Sequence, residues 1–208
     1  MRLAGKRSPQ LSINQRVYHQ IVPTRFGAVC VEVSTSGIVR LRLSPKLTVA
    51  CRRRRGKATG FQRRTAMKCS QRLQRYLHGK SVKFSGLPAD FGGLSAFEKT
   101  VLRELVKIPA GTVRTYAALA KKIRCPGGAR AVGNALAKNP LPILYPCHRI
   151  VRSDGSLGGY SGGAGWKQKL LRIEGSADCS ACIRTGFPAE GNKTLLFQMI
   201  PRCYNLPV

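Results

Sequence analysis

The stretch from Thr115 to Pro140 constrains this chain most, because its start, turn and stop signals leave the backbone few alternatives. Thr115 can N-cap a short helix that begins with Tyr116-Ala-Ala-Leu-Ala120 and runs to about Ile123, its hydroxyl accepting from an orphan amide of the first turn. Pro126-Gly127-Gly128 makes a turn, Ala129 to about Ala137 reads as a second helix, and Asn139-Pro140 ends it. The pattern predicts a helix-turn-helix. The second helix is studded with Ala131, Gly133 and Ala135. Such small side chains allow close helix packing; they also make a helix thin enough for a DNA minor groove about 6 Å wide.

Charge points to the same kind of partner. Lys and Arg number 37 against 8 Asp and Glu, a formal net charge of +29, with no carboxylate from Val33 to Ala89 or from Leu105 to Ser153. A field of this size suits a polyanion, nucleic acid being the commonest; the alternative is a merely solvated basic surface. No stretch approaches the ~18–20 apolar residues of a membrane span, and Met1 to Gln10 lacks the apolar run of a signal peptide. A soluble intracellular protein is expected, with its eight cysteines reduced.

Directly after the helix pair come the apolar run Leu141-Pro-Ile-Leu-Tyr-Pro146 and then Cys147-His148-Arg149. A thiol is a weak nucleophile until a base takes its proton, and a neighbouring histidine is the usual base. Cys147 is therefore the candidate reactive centre, against the alternative of a packed cysteine. Gly158-Gly-Tyr-Ser-Gly-Gly163 follows, a loop able to bring backbone amides and the Tyr160 and Ser161 hydroxyls near a ligand. Trp166, Leu170 and Ile173 then line one face of a helix that delivers Glu174. A reactive thiol beside a DNA-reading motif implies chemistry on DNA.

The remainder reads as scaffold, and 208 residues with 43% apolar content suffice for one domain or two small ones. Residues 1 to about 17 are polar and aperiodic, a disordered arm. Gly27 to Val33 and Ile38 to Leu43, around Ser34-Thr-Ser-Gly37, predict a β-hairpin, with Val39, Leu41 and Leu43 on the core face and Arg40 and Arg42 in water. Arg52 to Arg55 lies in a basic loop. Met67 to His78 is predicted helical and Val82 to Phe84 a closing strand. Gly86 to Gly93 is the linker. Ser95-Ala-Phe-Glu98 is a capping box for a helix burying Phe97, Val101, Leu105 and Ile108 and stopped by Pro109-Ala-Gly111. In the tail from Ser176 to Val208, the single Cys179-Ser-Ala-Cys182 lacks the second ligand pair of a structural zinc site, so no metal is assigned.

The blocks Tyr116, Ala129-Arg130-Ala-Val-Gly133, Lys138-Asn139-Pro140, Pro146-Cys-His-Arg149, Gly159-Tyr-Ser-Gly-Gly163 and Ile173-Glu174-Gly175 stand in the order and spacing of one family. From about Ser95 to Gly175 the chain resembles the catalytic domain of the O6-alkylguanine-DNA alkyltransferases, and less closely from Tyr18 to Gly93. The resemblance implies a small α/β, ribonuclease-H-like N-terminal domain over 18–90. It also implies a mainly helical, winged-helix-like domain over 91–175 that carries the helix-turn-helix, with 176–208 an extension.

The same resemblance implies repair by direct, stoichiometric transfer of the alkyl group from O6-alkylguanine to Cys147, with O4-alkylthymine a second candidate substrate. Catalysis would use Cys147, His148 as proton acceptor and Glu174 to fix the imidazole. DNA would be met by Tyr116, Arg130, Ala131 and Gly133, with Arg130 filling the gap left by an extruded base or, alternatively, touching a phosphate. Pro142, Tyr160 and Ser161 would line the base pocket, and Asn139 would act as a hinge. No cofactor is implied; the partner is double-stranded DNA, met by a monomer without a membrane, in the cytoplasm or nucleoid of a bacterium or the nucleus of a eukaryote. The rival readings are a non-catalytic alkylated-DNA-binding protein, a helix-turn-helix regulator and a turnover cysteine hydrolase.

Overall fold

In the computed structural model, residues 17–44 and 58–175 are described. Positions 1–16 of the expected arm, the Arg52 to Arg55 run and the tail with Cys179 and Cys182 lie outside them. Three strands, β1 (Tyr18–Thr24), β2 (Gly27–Val33) and β3 (Ile38–Ser44), form an antiparallel sheet in that order. Val29 pairs with Val22 and Leu43, and Val31 with Gln20 and Leu41, which puts alternate residues on one apolar face. That face meets Ala66, Cys69 and Leu73 of helix α1 (Gly60–Leu77) in one core cluster.

The hairpin of β2 and β3 stands where expected, but a register shift between Glu32 and Val33 puts Ile38 rather than Val39 in the core cluster with Leu41 and Leu43; β1 was not anticipated. Pro23 argues against a strand in sequence terms, yet β1 is an edge strand, where a missing N–H is tolerated. Helix α1 begins seven residues before Met67, because Thr59 and Gln62 form a capping box. Val82 to Phe84 is not a strand. Its apolar side chains pack on the sheet cluster, and the edge of β3 instead receives Ala89, bridged to Ile38.

Helix α2 (Ala96–Leu105) has the expected capping box of Ser95 and Glu98. Its buried face carries Val101, Leu102 and Leu105, while Phe97 lies 36% exposed at the rim rather than in the core. This helix packs against α4 in a second cluster, which also holds Leu119, Val132 and Leu136. Helices α3 (Tyr116–Lys122) and α4 (Ala129–Ala137) have the predicted bounds, with Thr115 capping the first. The turn between them depends on Gly128, where an added Cβ would lie 2.4 Å from Cys125 Sγ.

Two connections tie the helix pair to the cysteine. Strand β4 (Arg114–Thr115) pairs in parallel with β5 (Ile150–Val151), directly after Arg149. Leu41 N–H of β3 donates to Pro140 O at 2.8 Å, so the sheet edge holds the start of the apolar run. Helix α5 (Ala164–Ile173) closes the chain's described part, with Trp166 and Leu170 buried in the sheet cluster.

Candidate active site

Leu141, Ile143 and Leu144 bury themselves in the sheet cluster and bring the chain to Pro146. Ile143 has φ +75°, which a β-branched residue seldom adopts and which persists because its side chain is only 2% exposed. Cys147 opens a single 3-10 turn, Cys147–Arg149. Asn139, buried at the end of α4, organises this turn. Its Nδ2 donates to Tyr145 O at 2.8 Å and to Cys147 Sγ at 3.1 Å, while its Oδ1 accepts from Leu141 N–H at 3.0 Å.

Cys147 is 5% exposed. Burial pushes its thiol up to about 11, against the Asn139 hydrogen bond and the Lys167 charge, which lower it. The sulfur therefore rests as a thiol at neutral pH, and a base must take the proton when it reacts. His148 follows it, fully buried. Its Nε2 lies 3.0 Å from Glu174 Oε1, whereas its Nδ1 is buried without a hydrogen-bond partner among the described residues. This bonding assigns the proton to Nε2 and leaves Nδ1 as the acceptor. Desolvation lowers the imidazole pKa, Glu174 opposes this, and Arg149 and Lys167 lower it further, so the resting ring is neutral.

Glu174 sits at the C-cap of α5, the unfavourable end of a helix dipole for an anion. Other groups compensate. Arg149 Nε donates to Oε2 at 2.9 Å and Nη2 to Oε1 at 2.7 Å, and its Nη1 donates to Ile108 O. Tyr76 Oη donates to Oε1 at 2.6 Å. Burial would raise the carboxyl, but the hydrogen bonds and charges of His148 and Arg149 outweigh it and hold the group down to about 2.

Cys147 opens on a cavity of about 730 Å³, within the ~300–1,000 Å³ of small-ligand sites. Tyr116, Arg130 and Gly133 from the helix pair line it, with Tyr160 and Ser161 from the glycine loop. Tyr116 is half-buried at the first position of α3 and Arg130 is exposed at the start of α4. The loop approaches closely: Gly158 has φ +66°, and a Cβ there would lie 3.2 Å from Tyr116 Oη. Tyr160 sets its ring edge-on to His148, centroids 6.4 Å apart, and its hydroxyl is buried without a partner in the described residues.

Two expectations shift. Pro142 is buried within the apolar run and does not line the cavity, because that run faces the sheet cluster. Ala135 is 3% exposed, its small side chain serving helix packing rather than a thin outer surface, whereas Ala131 stands exposed on α4. Residues missed by sequence reasoning are Tyr76, Arg149 and Lys167. Arg149 stood inside the quoted Pro-Cys-His-Arg block without a role. Lys167 is fully buried in the α5 face read as apolar; its Nζ donates to Ile150 O at 2.6 Å and to Leu157 O, joining the strand after the cysteine to the start of the glycine loop. Desolvation lowers its pKa to about 8. Tyr76 carried no local signal.

Where no metal ligand set was expected, His19, Cys30 and Glu32 bring three donor atoms within 4.8 Å of one another on the second face of the sheet. Arg42 Nε already binds Glu32 Oε1 at 2.5 Å, and a closed structural zinc site uses four ligands, so these described residues do not complete one. No described helix is long and apolar enough to cross a membrane.

The family model of the 6-O-methylguanine DNA methyltransferase DNA-binding domain matches residues 96–176. The methylated-DNA–protein-cysteine methyltransferase of Methanothermobacter thermautotrophicus is 41% identical over 103 residues, covering 50% of this chain and 57% of that protein. The namesake from Shigella flexneri is 42% identical over 106 residues, covering 51% and 61%. These matches thus span less than two thirds of either relative. Among solved structures, Mycobacterium tuberculosis OGT in complex with DNA aligns with a TM-score of 0.65 and 31% identity, over 78% of this chain and 98% of that one. The M. tuberculosis O6-methylguanine methyltransferase aligns at 0.63 and 28% identity over 87% and 99%. With this mixed α/β fold and these matched blocks, the chain belongs to the methylated-DNA–protein-cysteine methyltransferase family, the O6-alkylguanine-DNA alkyltransferases.

Proposed function

We propose that this chain repairs DNA by transferring the alkyl group of O6-alkylguanine to Cys147 Sγ, once per molecule, as a monomer on duplex DNA. The observation that carries the reading is a buried thiol at a cavity walled by the helix-turn-helix, with a neutral imidazole and a fixed carboxylate behind it. In this reading residues 18–90 are a ribonuclease-H-like domain and 91–175 a winged-helix-like one. The three-stranded antiparallel sheet with α1, and the helix pair joined to a short parallel ladder, support that division.

The alkyl carbon is out of reach while the base is stacked, so the nucleotide turns outward into the cavity, at a cost of a few kcal/mol. Arg130 occupies the gap in the stack, Ala131 and Gly133 let α4 approach the groove, and Tyr160 and Ser161 bound the base. His148 Nδ1 takes the thiol proton through water; the S–C bond forms as the C–O6 bond breaks. Glu174 stabilises the imidazolium, and Tyr116 supplies a proton to the departing guanine ring. Burial raises the pKa of Tyr116, which keeps its phenol protonated for that step. The product is a thioether and an intact guanine, and no described group is arranged to remove the alkyl group from sulfur.

Intact mass before and after incubation with an O6-methylguanine duplex tests the proposal. A gain of one methylene on the peptide holding Cys147 is expected. No gain, or a gain on another cysteine, overturns it.

A further inference from the structure

Glu174 Oε1 accepts three hydrogen bonds: from Tyr76 Oη at 2.6 Å, Arg149 Nη2 at 2.7 Å and His148 Nε2 at 3.0 Å. Two of these donors belong to the turn that carries the thiol. Tyr76 comes from the last turn of α1, on the sheet side of the molecule, and its hydroxyl also lies 3.4 Å from His148 Nε2. The tyrosine is well fixed. It is 5% exposed, and its ring meets Phe84 edge to face with centroids 5.7 Å apart.

A phenol has one proton to give. Burial and the Glu174 charge push the Tyr76 pKa well above 10, so the proton is retained and donated to the carboxylate throughout the working range. We propose that Tyr76 is a positioning residue for the proton relay: by pinning Glu174 Oε1 beside His148 Nε2, it commits the Nε2 proton to the carboxylate and leaves Nδ1 as the acceptor for the Cys147 proton. The proposal rests on the reading of Cys147 as alkyl acceptor and adds to it a requirement from the other half of the chain.

A shift in pH dependence follows. The groups facing His148 are Glu174 and Lys167 from α5, Cys147 and Arg149 from its own turn, Tyr76 from α1 and Tyr160 from the glycine loop. Glu174 favours the imidazolium; burial, Arg149 and Lys167 oppose it. The Tyr76 hydrogen bond draws off part of the carboxylate's negative charge. Without it, Glu174 acts more strongly on the ring, the imidazole protonates at higher pH, and the base is lost earlier on acidification.

Tyr76→Phe in the full chain removes the hydroxyl and keeps the ring contact with Phe84. Single-turnover transfer from an O6-methylguanine duplex should slow roughly tenfold at neutral pH, part of the about 100- to 10,000-fold that acid–base catalysis supplies. The acid limb of its pH profile should move to higher pH, and so should the titration of His148 followed by imidazole nitrogen NMR. A fluorinated tyrosine at position 76, a stronger donor in the same shape, should move both the other way, and it serves if the phenylalanine variant fails to fold. If wild type transfers and neither limb nor titration moves in the variants, Tyr76 is structural only and the proposal is overturned. If wild type transfers nothing, the alkyl-acceptor reading fails, and the His148 titration by itself decides whether Tyr76 sets the ring.

Discussion

Cys69 and Cys147 are both buried thiols, 0% and 5% exposed, and burial pushes both upward, to about 12 and about 11. Resting acidity barely separates them; their surroundings do. Cys69 lies on α1 inside the sheet cluster, among side chains that exclude any reagent. Cys147 opens on a cavity, accepts a hydrogen bond from Asn139 and precedes an imidazole whose free nitrogen is buried with it. On the proposed reading, what would set Cys147 apart is access and a neighbouring proton acceptor, not a standing thiolate.

The sharpest way to break this contrast is Cys147→Ala, expected to abolish transfer by intact mass while leaving affinity for undamaged duplex nearly unchanged, since phosphate contacts carry most of that affinity. Residual transfer would mean that another thiol shares its environment.

Glu174→Gln comes next, with transfer slowed roughly 100-fold as the imidazolium loses its anion. The same variant tests the carboxylate's share of stability. Held at about 2 in the fold against an ordinary 4.5, Glu174 contributes on the order of 3 kcal/mol, fully present above pH 4.5 and lost as the pH falls through 2. The gap in unfolding free energy between wild type and variant, from urea titrations, should close over that interval. A gap independent of pH would sink the assignment.

Arg130→Ala acts on access rather than on sulfur chemistry. A loss of roughly tenfold is expected on duplex, about 1.4 kcal/mol of barrier, with much less on a free alkylguanine base that needs no extrusion. Equal losses on both substrates would assign Arg130 to the pocket or the fold. Cys69→Ala should have the smallest effect on transfer, within about twofold of wild type, with its cost of roughly 1 kcal/mol confined to unfolding measurements.

These contrasts also mark how far the sequence could be read. The capping box at Ser95, the Thr115 cap and the Pro-Gly-Gly turn are local signals, and the helix starts they mark stand where expected, although α2 ends at Leu105, before Ile108 and the expected stop at Pro109. That His148 and Glu174 meet was legible because family spacing paired them. Tyr76 was not, being 72 residues from His148 and 98 from Glu174, where only packing brings them together. Strands β4 and β5 are two residues each, too short for periodicity. Lys167 escaped for another reason: a lysine beside Trp166 and Leu170 on the apolar face gives no sign of being buried until two backbone carbonyls are found to satisfy it.

The bond from Leu41 N–H to Pro140 O joins a sheet edge to the backbone just ahead of the reactive turn. An amide hydrogen at such a seam exchanges with solvent only when the seam parts, by movement of either side. Leu141, Ile143 and Leu144 share the apolar cluster of the sheet, so exchange at the Leu41 amide would report, from the sheet side, on how firmly the segment leading to Cys147 is anchored.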